Sequence, residues 1–323
     1  MRYANLGRSG LSVSRFCLGS LNFGPVTDAA SAHQIMDAAL EAGVNFLDTS
    51  NSYGRHLGRG AAEQIIGGWF AQGGGRRERV VLATKLYVQM DERPNSGGLS
   101  ALNIRQALDA SLRRLRTDYI DLYQFHHIDR DTPWDEIWQA VETAVSQGKI
   151  VYAGSSNFAG WHLAKAQEAA MRRGLSGLAS EQSIYNLVRR DVEREVLPAA
   201  RDYGIGLLPW SPLHEGLLGG ALRREEEGHR RLAGRAAAAL DAHREQLGLY
   251  EELAAQAGLE PAVLALSWLL HQPGVVAPVV GSRTVAQLKS ALCAVEVSLS
   301  RDVLDRLDEI FPGYKTAPED YAW

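Results

Sequence analysis

Short apolar runs recur along the chain, most of them closing on a polar or small residue and followed by a longer stretch with apolar positions at helical spacing. The runs are RFCLGS (15–20), NFLDTS (45–50), VVLATK (80–85), IDLYQFH (120–126), IVYAGSS (150–156), LASEQS (178–183), GIGLLPW (204–210) and VVAPVVG (275–281). Apolar runs this short are the pattern of strands buried on both faces, as in a parallel sheet covered by helices. The intervening periodicity predicts helices over 28–42, 61–72, 101–115, 133–147, 160–173, 192–203 and 261–271. Asp28 and Ser100 stand where N-caps belong, and Thr132-Pro133-Trp134-Asp135 reads as a cap, a proline at the first helical position and an acid to pair back. Ahead of the first run, YANLGRSGLSVS (3–14) has a Gly-Arg-Ser-Gly turn at its centre and predicts a hairpin.

Eight such units predict a (β/α)8 barrel, because right-handed crossovers repeated eight times close the sheet on itself. The chain has 323 residues, room for one barrel of about 250 residues with insertions. An open doubly wound sheet would carry a G-x-G-x-x-G turn after its first strand. LGSLNFG (18–24) lacks that spacing, and Gly73–Gly75 precede a strand rather than a helix. The expected architecture is therefore a single barrel domain over residues 1–323. Two segments stand outside its rhythm. Residues 213–245, glycine-rich and then strongly charged, follow the seventh strand and are expected to form a mobile loop or lid. Residues 312–323 form a C-terminal tail ending in aromatics.

Composition narrows the partners. The chain is 46% hydrophobic and 22% charged with a formal net charge of -4, which offers nucleic acid or an anionic membrane no electrostatic attraction. Two cysteines in apolar settings, Cys17 and Cys293, read as free thiols of a reducing compartment. With no apolar signal-peptide core and no run of membrane-spanning length, the expected location is the cytoplasm.

In a barrel the C-terminal ends of the strands meet at one mouth. There this chain delivers Asp48, with Tyr53 in the following loop, then Lys85, His126, Ser155, Ser156, Asn157, Glu181, Gln182, Trp210, Ser211, Gly281, Ser282 and Arg283. Singly, each is an ordinary cap, rim or core residue; together they have a chemistry. A phenol with a pKa near 10 is a sluggish acid, and a neighbouring ammonium is expected to lower that pKa. An aspartate paired with the lysine would hold it charged, and a histidine opposite would hydrogen-bond a substrate carbonyl oxygen. Such a site supplies a proton but no electrons, which must come from a bound cofactor. His126, His127 and Asp129 make a poor metal site, since adjacent strand residues face opposite ways, and there is no H-E-x-x-H or C-x-x-C. No metal is expected.

FLDTSNSYG, LATK, DLYQFHH, GSSNF, SEQSIYN and PWSPL resemble, in order, the successive motifs of the aldo-keto reductase superfamily, and the resemblance runs over nearly the whole chain. It implies a (β/α)8 barrel that binds NADPH without a Rossmann fold and reduces aldehydes and ketones. It places the catalytic group on Asp48, Tyr53, Lys85 and His126, with Tyr53 as general acid. It implies that Ser156, Asn157 and Gln182 hold the nicotinamide carboxamide, that Trp210 stacks on the ring, and that Ser211, Leu213 and Gly216 face the pyrophosphate. Arg283 lies where relatives pair with the 2′-phosphate, with Gly281 and Ser282 as neighbouring cofactor contacts and Gln287 beside the adenosine; Ala291 stands where relatives often have asparagine.

Around the mouth, Phe23, Tyr87, His127 and Trp134 are the expected substrate contacts. WFAQGGGRRE, HHIDRDTPWDEIWQA and SPLHEGLLGGAL are similar to a bacterial branch of the superfamily. Some of its members reduce dTDP-4-keto-6-deoxyhexoses and others are general carbonyl reductases. A general reductase of small carbonyl compounds is the main expectation, with a nucleotide-sugar substrate as the sharper alternative. A cofactor-sensing auxiliary subunit of a potassium channel is the alternative from another class.

Overall fold

The computed structural model describes residues 1–227 and 235–322. An antiparallel hairpin of β1 (Tyr3–Asn5) and β2 (Ser12–Ser14) opens the chain. Eight strands follow: β3 (Cys17–Gly19), β4 (Phe46–Asp48), β5 (Val81–Leu86), β6 (Ile120–Phe125), β7 (Ile150–Ser156), β8 (Leu178–Gln182), β9 (Gly206–Leu207) and β10 (Val279–Val280). Each predicted run overlaps one of them, and β5 continues one residue past its run, to Leu86. They pair in parallel in chain order from β3 to β9, and β10 returns to pair with β3. Between β9 and β10 the sheet closes through backbone bonds from Val276 N–H to Leu207 O (2.9 Å) and from Val279 N–H to Pro209 O (2.8 Å). The result is a (β/α)8 barrel.

Alternation along the strands divides the barrel interior in two. Cys17, Phe46, Val81, Ala83, Leu122, Leu208 and Val276 fill the end where the strands begin, sealed by Leu6 and Val13 of the hairpin. Gly7 lets the hairpin press this close: with φ +57, it lies where a Cβ would meet Gly204 O at 2.5 Å. Asp48, Lys85, Gln124 and Gln182 continue the inward set at the other end, all of them buried. On β8 the pairing skips Ala179: Ala153 pairs with Leu178, but Gly154 pairs with Ser180. This bulge reverses the phase, so Ser180 and Gln182 face inward and Glu181 faces the helical layer. The outer face packs against the helices in one continuous core containing Trp69, Trp138 and Trp268.

The helices Ala29–Glu41 and Ala101–Leu115 begin as expected, with Asp28 accepting from Ser31 N–H and Ser100 from Asn103 N–H. The next start is displaced. Helix Trp134–Ser146 has Pro133, not Thr132, at its N-cap, and the Thr132 hydroxyl instead donates to Asp129. The segment predicted as one helix over 192–203 splits into a 3-10 turn, Asp191–Glu193, and a helix, Val196–Asp202. Pro198 sits in the first turn of that helix, and its ring excludes helix upstream. Helices Arg244–Gln256 and Arg301–Ile310 were not predicted.

The expected lid is partly built into the body. Its start forms a 3-10 segment, His214–Gly219, and a helix, Ala221–Glu226, with Leu217 and Leu218 fully buried; helix Arg235–Ala242 follows. The middle of the expected lid, residues 228–234, lies outside the described residues. The C-terminal tail is tied down by Tyr314 N–H donating to Glu193 (2.9 Å), and Arg194 lies over the Tyr314 ring. Cys17 and Cys293 are both free, Cys17 buried and Cys293 exposed rather than in an apolar setting. No single helix among the described residues is long and apolar enough to cross a membrane.

Candidate active site

Four side chains from three stretches of sequence, Asp48 and Tyr53 from one, Lys85 and His126 from the others, meet at the polar end of the barrel. Lys85, with no exposed surface, donates to Asp48 Oδ2 at 2.6 Å, to Thr49 O at 2.9 Å and to the Tyr53 hydroxyl at 3.2 Å. An ammonium has three protons, and all three are used. Asp48 Oδ1 accepts from Gln124 (3.0 Å) and Gln182 (2.9 Å), so the carboxylate also has its donors. A buried ion pair is tolerable in this condition, with both charges paired and hydrogen-bonded. Burial alone would lower the Lys85 pKa, but Asp48 and Tyr53 outweigh it and hold the ammonium above its ordinary value.

Tyr53 is placed by a turn in which its N–H bonds Ser50 O and its carbonyl accepts from Ala62 N–H. Gly54 completes the turn, since a Cβ there would lie 1.8 Å from Gly58 O. Here the sequence expectation needs correction. Burial raises the Tyr53 pKa, Lys85 opposes it without prevailing, and the phenol stands above its ordinary 10. Tyr53 is therefore protonated at neutral pH. The lysine limits the upward shift rather than producing a low-pKa phenol.

His126 faces Tyr53 edge-on with ring centroids 5.9 Å apart. Burial, then Lys85 and His127, lower its pKa to about 3, so the imidazole is neutral. Its Nδ1 lies 3.2 Å from Ser50 Oγ, which itself accepts from Ser52 N–H. When the Ser50 hydroxyl donates to Nδ1, Nε2 carries the ring proton. Gln124, Ser50 and Thr49 were not predicted as site residues. Gln124 is on β6 two residues before His126, which directly follows that strand, a signal that alternation alone contains.

A second group of predicted residues forms a connected patch against the first. Asn157 Nδ2 donates to His126 O and to Ser156 Oγ (both 3.1 Å), and Asn157 Oδ1 accepts from Trp210 Nε1 (3.0 Å). The Ser156 hydroxyl donates to Gln182 O at 2.7 Å. The half-buried Trp210 ring is thus fixed in orientation, and Gln182 Oε1 accepts nothing from a described residue. The chain then turns through Ser211, whose φ is +52, into Leu213 and Gly216, with the Arg224 guanidinium on Gly216 O at 2.7 Å.

On the loop after β10, Gly281 O accepts from Asn22, and the buried Ser282 Oγ has no hydrogen-bond partner among the described residues. Arg283 is exposed and makes no ion pair among them; it precedes Thr284, which is the N-cap of helix Val285–Leu292. Gln287 folds back so that its Oε1 accepts from Arg283 N–H. Of the expected substrate contacts, Tyr87 packs on His127 with ring centroids 5.4 Å apart, and half-buried Trp134 packs on Phe158. Phe23 has no exposed surface and belongs to the core, so it is withdrawn as a substrate contact. Its position in a loop hid its packing role.

Known proteins share this arrangement of sequence. The uncharacterized oxidoreductase YrpG of Bacillus subtilis (strain 168) is 52% identical over the full length of both chains. A versiconal hemiacetal acetate reductase of Aspergillus parasiticus is 33% identical over 96% of each chain. A probable voltage-gated potassium channel subunit beta of Arabidopsis thaliana is 34% identical over 99% of this chain and 100% of its own. Residues 15–311, which run from the first barrel strand to the last barrel-packing helix, match the aldo/keto reductase family, and with the closed eight-stranded barrel beneath that match the chain belongs to this family.

Proposed function

We propose that this chain is an NADPH-dependent reductase of aldehydes and ketones in which Tyr53 is the proton donor. The observation that carries the proposal is the saturation of Lys85. Because its third proton goes to the Tyr53 oxygen, that oxygen is an acceptor toward the lysine, and the phenol proton is directed away from it. The family and the Aspergillus reductase support carbonyl reduction.

The residues suit such a cofactor. Among the described residues, Gln182 Oε1 is available to accept from a carboxamide N–H, Ser282 Oγ is a buried hydroxyl without a partner, and Arg283 is a cation without an ion-pair partner. In this reading Ser156, Asn157 and Gln182 hold the carboxamide, and Trp210 stacks on the ring. Ser211, Leu213 and Gly216 face the diphosphate, while Gly281, Ser282, Arg283 and Gln287 serve the adenosine side. When bound, the dihydronicotinamide supplies the electron pair and hydrogen that reduce the carbonyl carbon.

The protein's own part is to manage the oxygen. Tyr53 O–H and neutral His126 Nε2–H point two donors at it, and as negative charge builds there Tyr53 releases its proton. Lys85 then faces a phenolate, which it stabilises directly, and Asp48 keeps Lys85 charged throughout. Tyr87, His127 and Trp134 line the approach, beside a pocket of about 400 Å³ lined by Gln89, Arg93 and Ser96.

The test is NADPH consumption with a panel of small aldehydes and ketones, wild type against Tyr53→Phe. Turnover lost in the variant supports the reading. Tight NADPH binding without turnover on any carbonyl compound would instead favour a cofactor-sensing subunit, the reading to which the Arabidopsis relative points.

A further inference from the structure

We propose that Glu181 is a positioning residue for the nicotinamide-binding patch, an inference that rests on the roles assigned above to Ser156, Asn157 and Gln182. Glu181 is fully buried on the outer face of the sheet, and it makes no ion pair among the described residues. Its Oε2 accepts from the Ser155 hydroxyl at 2.5 Å, and its Oε1 from the Ser183 hydroxyl at 2.5 Å and from Phe158 N–H at 3.1 Å. Each donor flanks a patch residue. Ser155 precedes Ser156, Phe158 follows Asn157, and Ser183 follows Gln182, so one carboxyl group ties together the ends of β7 and β8.

What it holds is strained. Asn157 has φ +59, a left-handed conformation that asparagine tolerates better than most residues but that still needs external support. The Phe158 N–H bond fixes the peptide immediately after it. The Asn157 side chain carries the rest of the patch, joining His126 O, Ser156 Oγ and Trp210 Nε1. A slackened Asn157 would therefore release Trp210 and Ser156 together. An unpaired buried carboxylate is expensive, and an apolar or amide side chain of similar size would fill the space at lower cost. Its value lies in being an acceptor for three donors at once.

Burial pushes the Glu181 carboxyl up to about 7, with the Ser155, Ser183 and Phe158 donors acting against the rise. Ionised, it accepts all three bonds. Protonated, it must donate one, and a serine hydroxyl has to turn. The elements packed on β8 bring few competing charges. Strand β7 carries Tyr152 and β9 carries none. Helix Gly160–Arg172 carries His162, which accepts from Ala159 N–H, Lys165 over Trp161, Glu168 bonded to Tyr203, and Arg172; no hydrogen bond or ion pair joins any of these to Glu181. Inside the barrel, His126 and Asp48 connect to it through Asn157 and Gln182.

The experiment is fluorescence titration of NADPH into wild type and Glu181→Gln from pH 6 to pH 9, roughly one pH unit or more to either side of that group's midpoint, with melting curves to establish folding. Glutamine keeps an acceptor for Phe158 and mimics the protonated acid. At the alkaline end the variant's Kd should be raised about tenfold, with the aldehyde KM at saturating NADPH unchanged. The ratio of variant to wild-type Kd should fall toward one as pH drops through the Glu181 midpoint. Taking the ratio at each pH cancels the titration of the cofactor's own phosphate and of groups common to both proteins. Ser155→Ala is the second variant should glutamine fail to fold; it removes one donor to the carboxylate, so the midpoint should move to higher pH. Equal Kd values at alkaline pH, or a ratio independent of pH, would overturn the role of Glu181 and leave the site assignment standing. Wild type that binds no NADPH at any pH would bring down both.

Discussion

Lys85 Nζ donates to the Tyr53 hydroxyl oxygen at 3.2 Å, and the other two ammonium protons are already held by Asp48 and Thr49. The relationship makes the tyrosine a one-directional donor. Tyr53→Phe removes the transferable proton and leaves the ring, which packs against the core. We expect kcat/KM for carbonyl reduction to fall by about 10²–10⁴, the usual contribution of a general acid, while NADPH affinity and melting temperature stay near wild type. Stopped-flow and binding measurements on one preparation check this, and a variant with wild-type turnover would remove Tyr53 from the mechanism.

The ion pair beneath Tyr53 should show the asymmetry of buried charges. Lys85→Met leaves the buried Asp48 carboxylate with only the amides of Gln124 and Gln182 as donors. Breaking such a pair by removing one partner costs about 3–5 kcal/mol. Adding Asp48→Asn removes the stranded charge, so the double variant should be more stable than Lys85→Met alone, although equally inactive. Urea denaturation of wild type and the two variants measures it; a double variant less stable than Lys85→Met would mean that Asp48 is not stranded.

His126 contributes a pH dependence with a definite sign. Its pKa is about 3 in the folded chain against 6.5 for a free imidazole, so between those values the unfolded chain binds the proton that the folded chain refuses. The stabilisation is complete above about 6.5 and is lost as pH falls toward 3. His126→Gln cannot titrate, and its stability should fall less steeply than wild type over that acid window in paired melting curves. By the same reasoning, an acid limb near pH 6.5 in wild-type kcat does not come from His126. Parallel acid profiles for wild type and His126→Gln would contradict its burial as a neutral ring.

Much of this could be read from sequence because the barrel is built from local repeats. Six of the eight apolar runs ended in polar residues, and strand-end convergence alone brought Asp48, Lys85 and His126 together with the loop residue Tyr53. The misreadings have a common cause, which is burial. A lysine beside a phenol suggests a lowered pKa, but the desolvation that wins is a property of the packed site. Phe23, between Asn22 and Gly24, looks like a loop aromatic and is in fact core. The bulge at Ala179 is set by pairing with β7 and has no signature in LASEQS, yet it decides that Gln182 faces Asp48 and Glu181 faces away. Helix Arg301–Ile310 escaped notice because it buries only Leu307 and Ile310 in an otherwise charged stretch.

Cofactor choice should turn on Arg283. It lies at the rim beyond β10, exposed, one residue ahead of the N-cap Thr284, with its backbone N–H held by Gln287. Its guanidinium has no carboxylate partner among the described residues, so it pays no ion pair to engage a phosphate, and Arg–phosphate pairs are bidentate and directional. A hydrogen bond to a charged group contributes about 1.5–3 kcal/mol, equivalent to roughly tenfold to a hundredfold in affinity. Arg283→Ala should therefore weaken NADPH by that factor and leave NADH, which lacks the 2′-phosphate, almost unaffected. Because the site is exposed, the preference should shrink in wild type as salt is raised and should be nearly independent of salt in the variant. Isothermal titration of both cofactors at two ionic strengths decides it: an NADPH-to-NADH ratio unchanged by the substitution would place the phosphate elsewhere on the rim.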